Sequence, residues 1–597
     1  METAETLTPI AAPMRDPRYA PRALEVERRA DGTIVLVNPR PIAGVFPTTL
    51  SPLEHWADKA PARVWLAERS GEGWRRVSYS AALEEVRAIA GALEGLGLEA
   101  GAPVLILARN GVDTALFTYA VMSLGRPAAA VSPQYGLAGA DASRLAYAVR
   151  LLRPCALFVD DAAAFETVLG APFLAGVPVI AAANARPGDL ALDELRRAAP
   201  LASRAGPDDI ARLLLTSGST GDPKAVMCLH RNMANNSAQL SACYDDPDPP
   251  VLVSHAPWSH AMGAVSILHY SLHRGGTLYI DAGQPAQGRF GETVRNLKEI
   301  SPSYHNMVPA GWTLLADALE ADEALARRFF ADLRVMQYGG AGLGPSVGAR
   351  IQAAAVRTMG AKITFGTAYG ATEVGPAATT VHWPNERMGL VGLPIPGTQV
   401  KLAPVGEKLE ARVRGPQVTP GYYRAPEATS AAFDEEGFFR LGDAVRPVDP
   451  SRLELGLAFD GRLSENFKLA TGAFVNAGAL RLAALSAVGG AACDAIVCGE
   501  GQASVGLLFF RNLGFEEQQG EAALAAQVRE GLERLNLEAK GVGGRIARAL
   551  ILKDQPDPAT GEITDKGYIN QAKARSRRIG EVERLFAGAP DPDVLVL

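Results

Sequence analysis

Leu215-Thr216-Ser217-Gly218-Ser219-Thr220-Gly221-Asp222-Pro223-Lys224 places hydroxyls, two glycines and one lysine in a loop directly after an apolar strand expected at 212–215. Such a loop suits a polyphosphate. The glycines let backbone N–H groups approach an anion closely, the Ser and Thr hydroxyls donate to phosphate oxygens, and Lys224 adds a positive point charge. It is not a Walker A loop, which needs Gly-Lys-Ser/Thr after its second glycine, because Asp222-Pro223 follow Gly221. Taken alone, the run also reads as a polar Gly/Ser turn. The texture around it favours the phosphate loop, since ligands of α/β folds bind at the carboxyl ends of parallel strands.

Working outward, helical and strand patterns alternate: a helix over 81–96, a strand at 103–107, a helix over 112–124 and a strand at 127–131. Further strands are expected at 155–159, 177–180, 251–253, 277–280, 333–336 and 362–365. Alternation of this kind predicts an α/β class of layered subdomains with parallel strands. After about Gly392 the hairpin-like strands 400–402 and 409–413 predict a β-rich part, about 392–462, closing the large N-terminal domain of residues 49–462. Strands at 495–497, 505–510 and 549–552 around a helix over 522–537 then predict a small, mobile α+β C-terminal domain, 463–597. Residues 1–48 are rich in Pro, Arg and Ala, hold one extended run at 33–37, and are expected to lie as an arm on the body. No internal repeat or low-complexity segment interrupts this order.

At 597 residues the chain exceeds what one core usually serves. With 48% apolar and 21% charged residues it has the composition of a folded globular protein. A net charge of −6 gives no support to nucleic-acid binding. No apolar run is long enough to span a bilayer, and the N-terminus lacks a basic region followed by an apolar one, so a cytoplasmic protein is expected. The five cysteines are odd in number and lack zinc spacing, which predicts reduced, mostly core thiols. The sequence leaves a homodimer open.

Downstream of the loop come Ala256-Pro257-Trp258-Ser259-His260, Tyr338-Gly339-Gly340-Ala341-Gly342, Tyr369-Gly370-Ala371-Thr372-Glu373, Leu441-Gly442-Asp443, Phe459-Asp460-Gly461-Arg462 and Gly561-Glu562-Ile563-Thr564-Asp565-Lys566-Gly567. With these segments in this order the chain resembles, from about residue 50 to its end, the adenylate-forming superfamily of acyl-CoA synthetases, luciferases and nonribosomal adenylation domains. The resemblance implies an enzyme that activates a small-molecule carboxylic acid with ATP and Mg²⁺ and passes the acyl group to coenzyme A. Thr216, Ser217, Gly218, Ser219, Thr220 and Lys224 then form the phosphate loop. Glu373 is the implied Mg²⁺ ligand, and Thr372 donates to the α-phosphate. Tyr369, Gly370, Gly339, Gly340 and Ala341 face adenine, Asp443 accepts from the ribose hydroxyls, and Arg462 contacts ribose or phosphate.

Lys566 is implied to bridge the attacking carboxylate and the α-phosphate, delivered by the C-terminal domain. Neutralising developing charge in this way is worth on the order of 3 kcal/mol. Ser464 occupies the implied hinge, where many relatives carry Asp or Lys; backbone rotation there, not the side chain, makes the hinge. Lys468 and Gly472 lie where relatives turn the pantetheine into the site. The basic run 573–578 reads as a solvated helix face.

Within the superfamily, Glu54-His55-Trp56-Ala57, Phe467-Lys468-Leu469-Ala470-Thr471-Gly472 and residues 561–570 are similar to bacterial feruloyl-CoA synthetases. That likeness implies an aromatic, hydroxycinnamate-like acid. His260 either lines the acyl pocket or is a satisfied core histidine, and His305 or Asn306 could supply a polar terminus for a phenolic hydroxyl. The alternatives are a medium- or long-chain fatty acyl-CoA synthetase, an adenylation enzyme loading a carrier protein, and a nucleotide sensor that keeps the loop without the chemistry.

Overall fold

The computed structural model describes residues 11–597 apart from 138, 140, 141, 217–222, 287, 341, 540, 558, 559, 561, 563–568 and 590, and apart from the side chain of Ser464. Three sheets build the N-terminal part. The first has seven strands in the order Lys224–Leu229, Ile210–Thr216, Ala128–Val131, Val104–Leu107, Ala156–Asp161, Val179–Ala183 and Leu190–Ala191. All neighbours run parallel except the edge pair formed by the first two. Its central strands, VLIL and AAAV, are buried at every residue, as parallel strands covered on both faces must be.

The helix Val112–Ser123 is buried along its whole length apart from Asp113, so it needs apolar cover all round. It obtains this cover by packing between the seven-stranded sheet and a second sheet, Val251–Ser254, Thr277–Ile280, Val64–Ser70 and Gly73–Ser78. The hairpin 64–78 was not expected from the sequence; its strands carry Arg, Glu and Ser, and only Trp65, Leu66, Ala67 and Val77 are buried.

The third sheet has eleven strands. Tyr304–Met307, Val335–Tyr338 and Thr364–Tyr369 run parallel. The short strand Thr379–Thr380 joins them to an antiparallel half made of Leu390–Pro394, Leu457–Arg462, Phe439–Pro447, Lys408–Arg414 and Gln399–Val405. The β-rich segment is therefore continuous with the parallel layer. The expected extended run appears as Ile34–Val37, and it pairs with Gln399–Val405 and carries Glu25–Arg28 on its outer edge. Three strands begin two residues later than expected, at Val179, Val335 and Thr364; Leu333 and Ile363 are fully buried in the core ahead of the last two ladders.

The C-terminal sheet consists of Ala492–Cys498, Val505–Arg511, Ile546–Leu552 and Val594–Val596. Alternate residues of Val505–Arg511 serve two cores. Val505, Leu507 and Phe509 pack with Leu480, Ala484, Leu524 and Val528 from the helices Ala477–Ala487 and Glu521–Glu538. Leu508 and Phe510 pack on the other face with Ala574 and Leu585. The five cysteines are free, with Cys228, Cys243 and Cys498 buried. Among the described residues no helix is long and apolar enough to cross a membrane.

Candidate active site

The strands Ile210–Thr216, Tyr304–Met307, Val335–Tyr338 and Thr364–Tyr369 all deliver candidate residues at or near their carboxyl ends. Thr216 pairs in register with Lys224, so the two rims of the phosphate loop are fixed by the sheet. Ser217, Gly218, Ser219 and Thr220 lie outside the described residues. The Lys224 ammonium sits 4.9 Å from the ring centroid of Tyr422. The Tyr422 hydroxyl donates to Glu373 Oε1 at 3.0 Å. Tyr422 is placed by the segment 419–423, which runs beside the strand Lys224–Leu229 through Met227 N to Gly421 O and Tyr423 N to Ala225 O.

Thr372 and Glu373 form a short turn just after the strand Thr364–Tyr369, and both are more than nine-tenths buried. Gly370 has to be glycine here, since a Cβ would lie 2.9 Å from the carbonyl oxygen of Pro376. Burial and then the Glu373 carboxylate hold the Tyr422 phenol well above its ordinary pKa, so the hydroxyl stays a donor.

Tyr369 faces the antiparallel half of the same sheet, where its hydroxyl donates to Asp443 Oδ2 at 3.0 Å. Asp443 and Arg462 are register partners on neighbouring strands, with Arg462 Nε 3.4 Å from Asp443 Oδ1. The Tyr369 phenol is likewise raised, by burial first and by Asp443 second. The structure thus brings Lys224, Glu373 and Thr372 into one group and Tyr369, Asp443 and Arg462 into a second, the two joined through the segment 369–373.

Gly339 and Gly340 follow the strand Val335–Tyr338. A Cβ at Gly339 would stand 3.4 Å from Met262 Sδ and 4.0 Å from Asn306 Oδ1, and Gly340 has φ +84°. Asn306 therefore borders the glycine segment, and its buried Oδ1 has no hydrogen-bond partner among the described residues. His260 is half-buried in the turn that precedes a π-helix, Met262–His269, an irregular element frequent at functional sites. Ala341 lies outside the described residues.

His305 does not join this group. It points the opposite way from Asn306 on the same strand, with its ring edge-on to Trp312 and Phe329 at 5.4 and 5.3 Å. Burial lowers its pKa to about 3, which keeps it a neutral core side chain. Alternation along a strand makes it impossible for both neighbours to face one pocket, so the polar terminus expected from either residue cannot be His305.

Lys468 and Gly472 stand on a separate hairpin, Phe467–Lys468 with Phe474–Val475, where Gly472 has φ +82° and open space around it. The Ser464 backbone belongs to the short turn Leu463–Glu465. Beyond it the chain folds back: Asn476 Nδ2 donates to Asp460 O at 3.3 Å, and Leu482 covers Gly342 so closely that a Cβ there would lie 3.0 Å from its Cδ1. Lys566 lies outside the described residues. Glu562 of the same motif is fully buried in a two-armed ion pair with Arg578, at 2.7 and 3.1 Å. The basic run is thus only partly solvated: Arg578 is buried and Arg575 donates to Val497 O.

The reading from sequence missed Tyr422. Its one local signal is the Gly421-Tyr422-Tyr423 turn, and its partner Glu373 is 49 positions away. The helix His230–Ser241 was also not expected from the sequence. It is rich in Asn, Ser and Gln, yet Asn232, Asn236, Ser237 and Gln239 are all buried.

Residues 53–423 match the AMP-binding enzyme family and residues 478–589 the AMP-binding enzyme C-terminal domain. A 4-coumarate–CoA ligase-like protein of Oryza sativa is 30% identical over 381 residues, 62% of this chain and 64% of that protein. A carboxylic acid reductase of Segniliparus rugosus is 29% identical over 306 residues, 47% of this chain and 24% of the reductase. A long-chain-fatty-acid–CoA ligase of Escherichia coli is 28% identical over 267 residues, 40% of this chain and 45% of the ligase. The chain therefore spans less than two thirds of each of these relatives.

The fold is shared with the anthranilate CoA ligase AuaEII in complex with anthranoyl-AMP, at a TM-score of 0.73 and 18% identity over 91% of this chain and 99% of that one. It is shared also with ATP-bound MatB from Rhodopseudomonas palustris, at a TM-score of 0.70 and 21% identity over 89% of this chain and 99% of that one. With the family match covering more than half its length, the chain belongs to the AMP-binding enzyme family.

Proposed function

We propose that the chain is an AMP-forming acid–thiol ligase acting on an aromatic, hydroxycinnamate-like acid such as ferulate. A carboxylate oxygen attacks the α-phosphorus of ATP, the bond from that phosphorus to the bridging oxygen breaks, and pyrophosphate leaves. The thiol of coenzyme A then attacks the acyl carbon, the acyl–oxygen bond to AMP breaks, and the thiol proton passes to solvent. The observation that carries this reading is the junction of an anion-handling group, Lys224, Thr372 and Glu373, with a nucleoside-shaped group, Tyr369, Asp443 and Arg462, across five residues of one strand end.

In this reading the Thr372 hydroxyl donates to an α-phosphate oxygen, and Lys224 with Thr216, Ser217, Gly218, Ser219 and Thr220 holds the departing phosphates. Asp443 accepts from ribose, the Tyr369 ring lies against the base with Gly339, Gly340, Ala341 and Gly370, and Arg462 contacts ribose or phosphate. Glu373 would hold Mg²⁺ through an oxygen not taken by Tyr422. That donor suits a hard cation, and no group of three or more His, Cys, Asp or Glu is placed for a metal among the described residues, so phosphates would complete the shell. When bound, Mg²⁺ offsets phosphate charge. Lys566 bridges the two reacting groups, rotation about Ser464 withdraws it, and Lys468 and Gly472 then line the path of the thiol. His260 and Asn306 border the acid.

The similarity to a rice 4-coumarate–CoA ligase-like protein supports the aromatic acid. Similarity to fatty-acid ligases supports an aliphatic one as the second reading. Pyrophosphate release with ferulate, coumarate, benzoate and medium-chain fatty acids decides between them. Ferulate or coumarate is expected to exceed the fatty acids at least about tenfold in kcat/KM, the scale of one pocket contact. Equal or faster release with a fatty acid refutes the aromatic class, and no acid-dependent release refutes the ligase.

A further inference from the structure

The segment Ala256-Pro257-Trp258-Ser259-His260 leaves the strand Val251–Ser254 and leads into the π-helix Met262–His269 without a ladder of its own. Its backbone polar groups must therefore find partners elsewhere. Between Ala256 and Trp258, Ala256 N donates to Ser254 Oγ at 3.1 Å and Pro257 O accepts from His260 N at 3.1 Å. The remaining groups, Ala256 O, Trp258 N and Trp258 O, are met by two side chains of the seven-stranded layer, Asn110 and Arg212.

Asn110 stands three residues beyond the strand Val104–Leu107. Its Oδ1 accepts from Trp258 N at 3.0 Å and its Nδ2 donates to Ala256 O at 2.9 Å, so the amide serves the segment as a one-residue strand partner. The loop around it is pinned on both sides: Asp160 accepts from Arg109 N at 3.2 Å, and Glu68 of the second sheet accepts from Val112 N at 2.8 Å. Arg212 approaches from the strand Ile210–Thr216, and its Nη1 donates to Trp258 O at 3.0 Å. Arg212 is 2% exposed, and its Nε has no hydrogen-bond partner among the described residues. Burial lowers its pKa, and the groups that oppose the lowering are the Tyr119 phenol and the Cys228 thiol, not a carboxylate. A buried cation without an ion-pair partner costs stability. The segment is closed in from the other side too, since a Cβ at Gly263 would lie 2.3 Å from Pro257 O and 2.5 Å from Ala256 O.

We propose that Asn110 and Arg212 are positioning residues of the acid site: together they fix the backbone that aims His260, and with it the wall against which the acid lies. This rests on the acid-ligase reading above, in which His260 borders the acid. Neither side chain belongs to the group of Lys224, Thr372 and Glu373 or to that of Tyr369, Asp443 and Arg462. Arg212 lies four residues before Thr216, whose own place is set by the backbone ladder with Lys224. Loss of either side chain is therefore felt on the acid and not on ATP. A wall displaced by about 1 Å takes the reacting atoms out of line, at a cost of up to about 100-fold in rate.

The test is pyrophosphate release by the full chain with the best acid of the panel above, in wild type, Asn110→Ala and Arg212→Met, with Tm measured for each. In both variants kcat/KM for the acid is expected to fall at least about tenfold, while KM for ATP stays within about twofold of wild type. Arg212→Met is expected to keep or raise Tm even as the acid site suffers, because a buried charge without an ion-pair partner is removed. A folded Asn110→Ala within about threefold of wild type on the acid overturns the proposal, and so does a rise in KM for ATP that matches the loss on the acid. An Arg212→Met that stays within about threefold on the acid, or that lowers Tm, removes Arg212 from it. Where Asn110→Ala alone does not fold, Arg212→Met decides by the same comparison of acid against ATP; loss of fold in both makes the contacts structural and overturns the proposal. No acid-dependent release by wild type refutes the ligase reading instead. Wild type and Asn110→Ala are then compared by the rise in Tm that each acid of the panel gives in the presence of AMP. A wild-type rise that Asn110→Ala loses sustains the positioning role, and no rise in wild type or an equal rise in the variant overturns it.

Discussion

Removing one oxygen from Tyr422 tests whether the Glu373 carboxylate is held in place for catalysis. In Tyr422→Phe the ring stays under Lys224, while Glu373 Oε1 loses the 3.0 Å bond from the phenol. Both side chains are more than nine-tenths buried, so water does not readily replace the donor. A hydrogen bond to a charged group is worth about 1.5–3 kcal/mol. At about 1.4 kcal/mol per factor of ten, kcat/KM for ATP falls about 10- to 150-fold, and the Mg²⁺ concentration for half-maximal rate rises. Tyr422→Leu also removes the ring face, adding about 0.5–1 kcal/mol, a further two- to fivefold. The assay is pyrophosphate release against ATP at several Mg²⁺ concentrations, with Tm measured to confirm that each variant is folded. A folded Tyr422→Phe within threefold of wild type at every Mg²⁺ concentration refutes the positioning role.

Lys566→Ala is expected to slow adenylate formation on the order of 100-fold while sparing thioester formation from a supplied acyl-adenylate; equal loss in both half-reactions removes the assignment. Glu562→Leu removes the two-armed acceptor of the Arg578 guanidinium, which keeps Glu581 at 3.8 Å and the Gln555 carbonyl at 3.4 Å, and unfolding in denaturant should show a loss of about 1.5–3 kcal/mol in the C-terminal unit. A loss below about 1 kcal/mol means that water reaches Arg578 in the variant. At Asp434, burial by itself would raise the pKa, but bonds from Lys401, Phe438 N and Arg412 outweigh it and bring it down to about 2. A depressed carboxylate contributes stability above its unfolded pKa near 3.9 and loses it as pH falls through the folded value. Wild type should therefore lose about 2–3 kcal/mol between pH 5 and pH 2 from this group, measured by urea unfolding against Asp434→Asn, whose deficit at pH 6 shrinks over the same range.

Short apolar runs gave away the parallel strands because burial on both faces leaves no room for polar residues. Val104–Leu107 and Ala128–Val131, buried at every residue, lie within one residue of where the pattern put them. Hydrophobicity reports burial and not pairing, which is why Leu333 and Ile363 drew two strands too early. The fusion of the parallel and antiparallel halves was hidden for another reason. It depends on Thr379–Thr380, two polar residues with no periodicity to read.

In the site, Thr372, Glu373, Tyr369 and Asp443 were legible because each sits in a local motif, and the structure groups them. Tyr422 was not, since its partner, Glu373, lies far along the chain. The helix His230–Ser241 carries three asparagines and a glutamine, yet Asn232, Asn236 and Gln239 donate to carbonyls of the 377–418 region and so can be buried. His305 misled because a histidine beside an asparagine invites a polar role, whereas the pleat sends the two to opposite faces.

The eleven-stranded sheet carries a constraint on how the chain can change length. Between Tyr369 and Arg462 the ladder runs through the pairs Tyr369 with Thr379, Thr379 with Pro394, Gly392 with Leu457 and Asp443 with Arg462. One residue inserted within any of these strands turns every later side chain of that strand to the opposite face. A single such insertion would aim Asp443 or Tyr369 away from the other without disturbing either motif. Turns outside the ladder, such as the one at Leu453–Leu455, absorb additions at no such cost. Insertion scanning across 369–462 should accordingly divide into silent and inactivating positions along strand boundaries, a map of the proposed nucleoside pocket drawn in chain length alone.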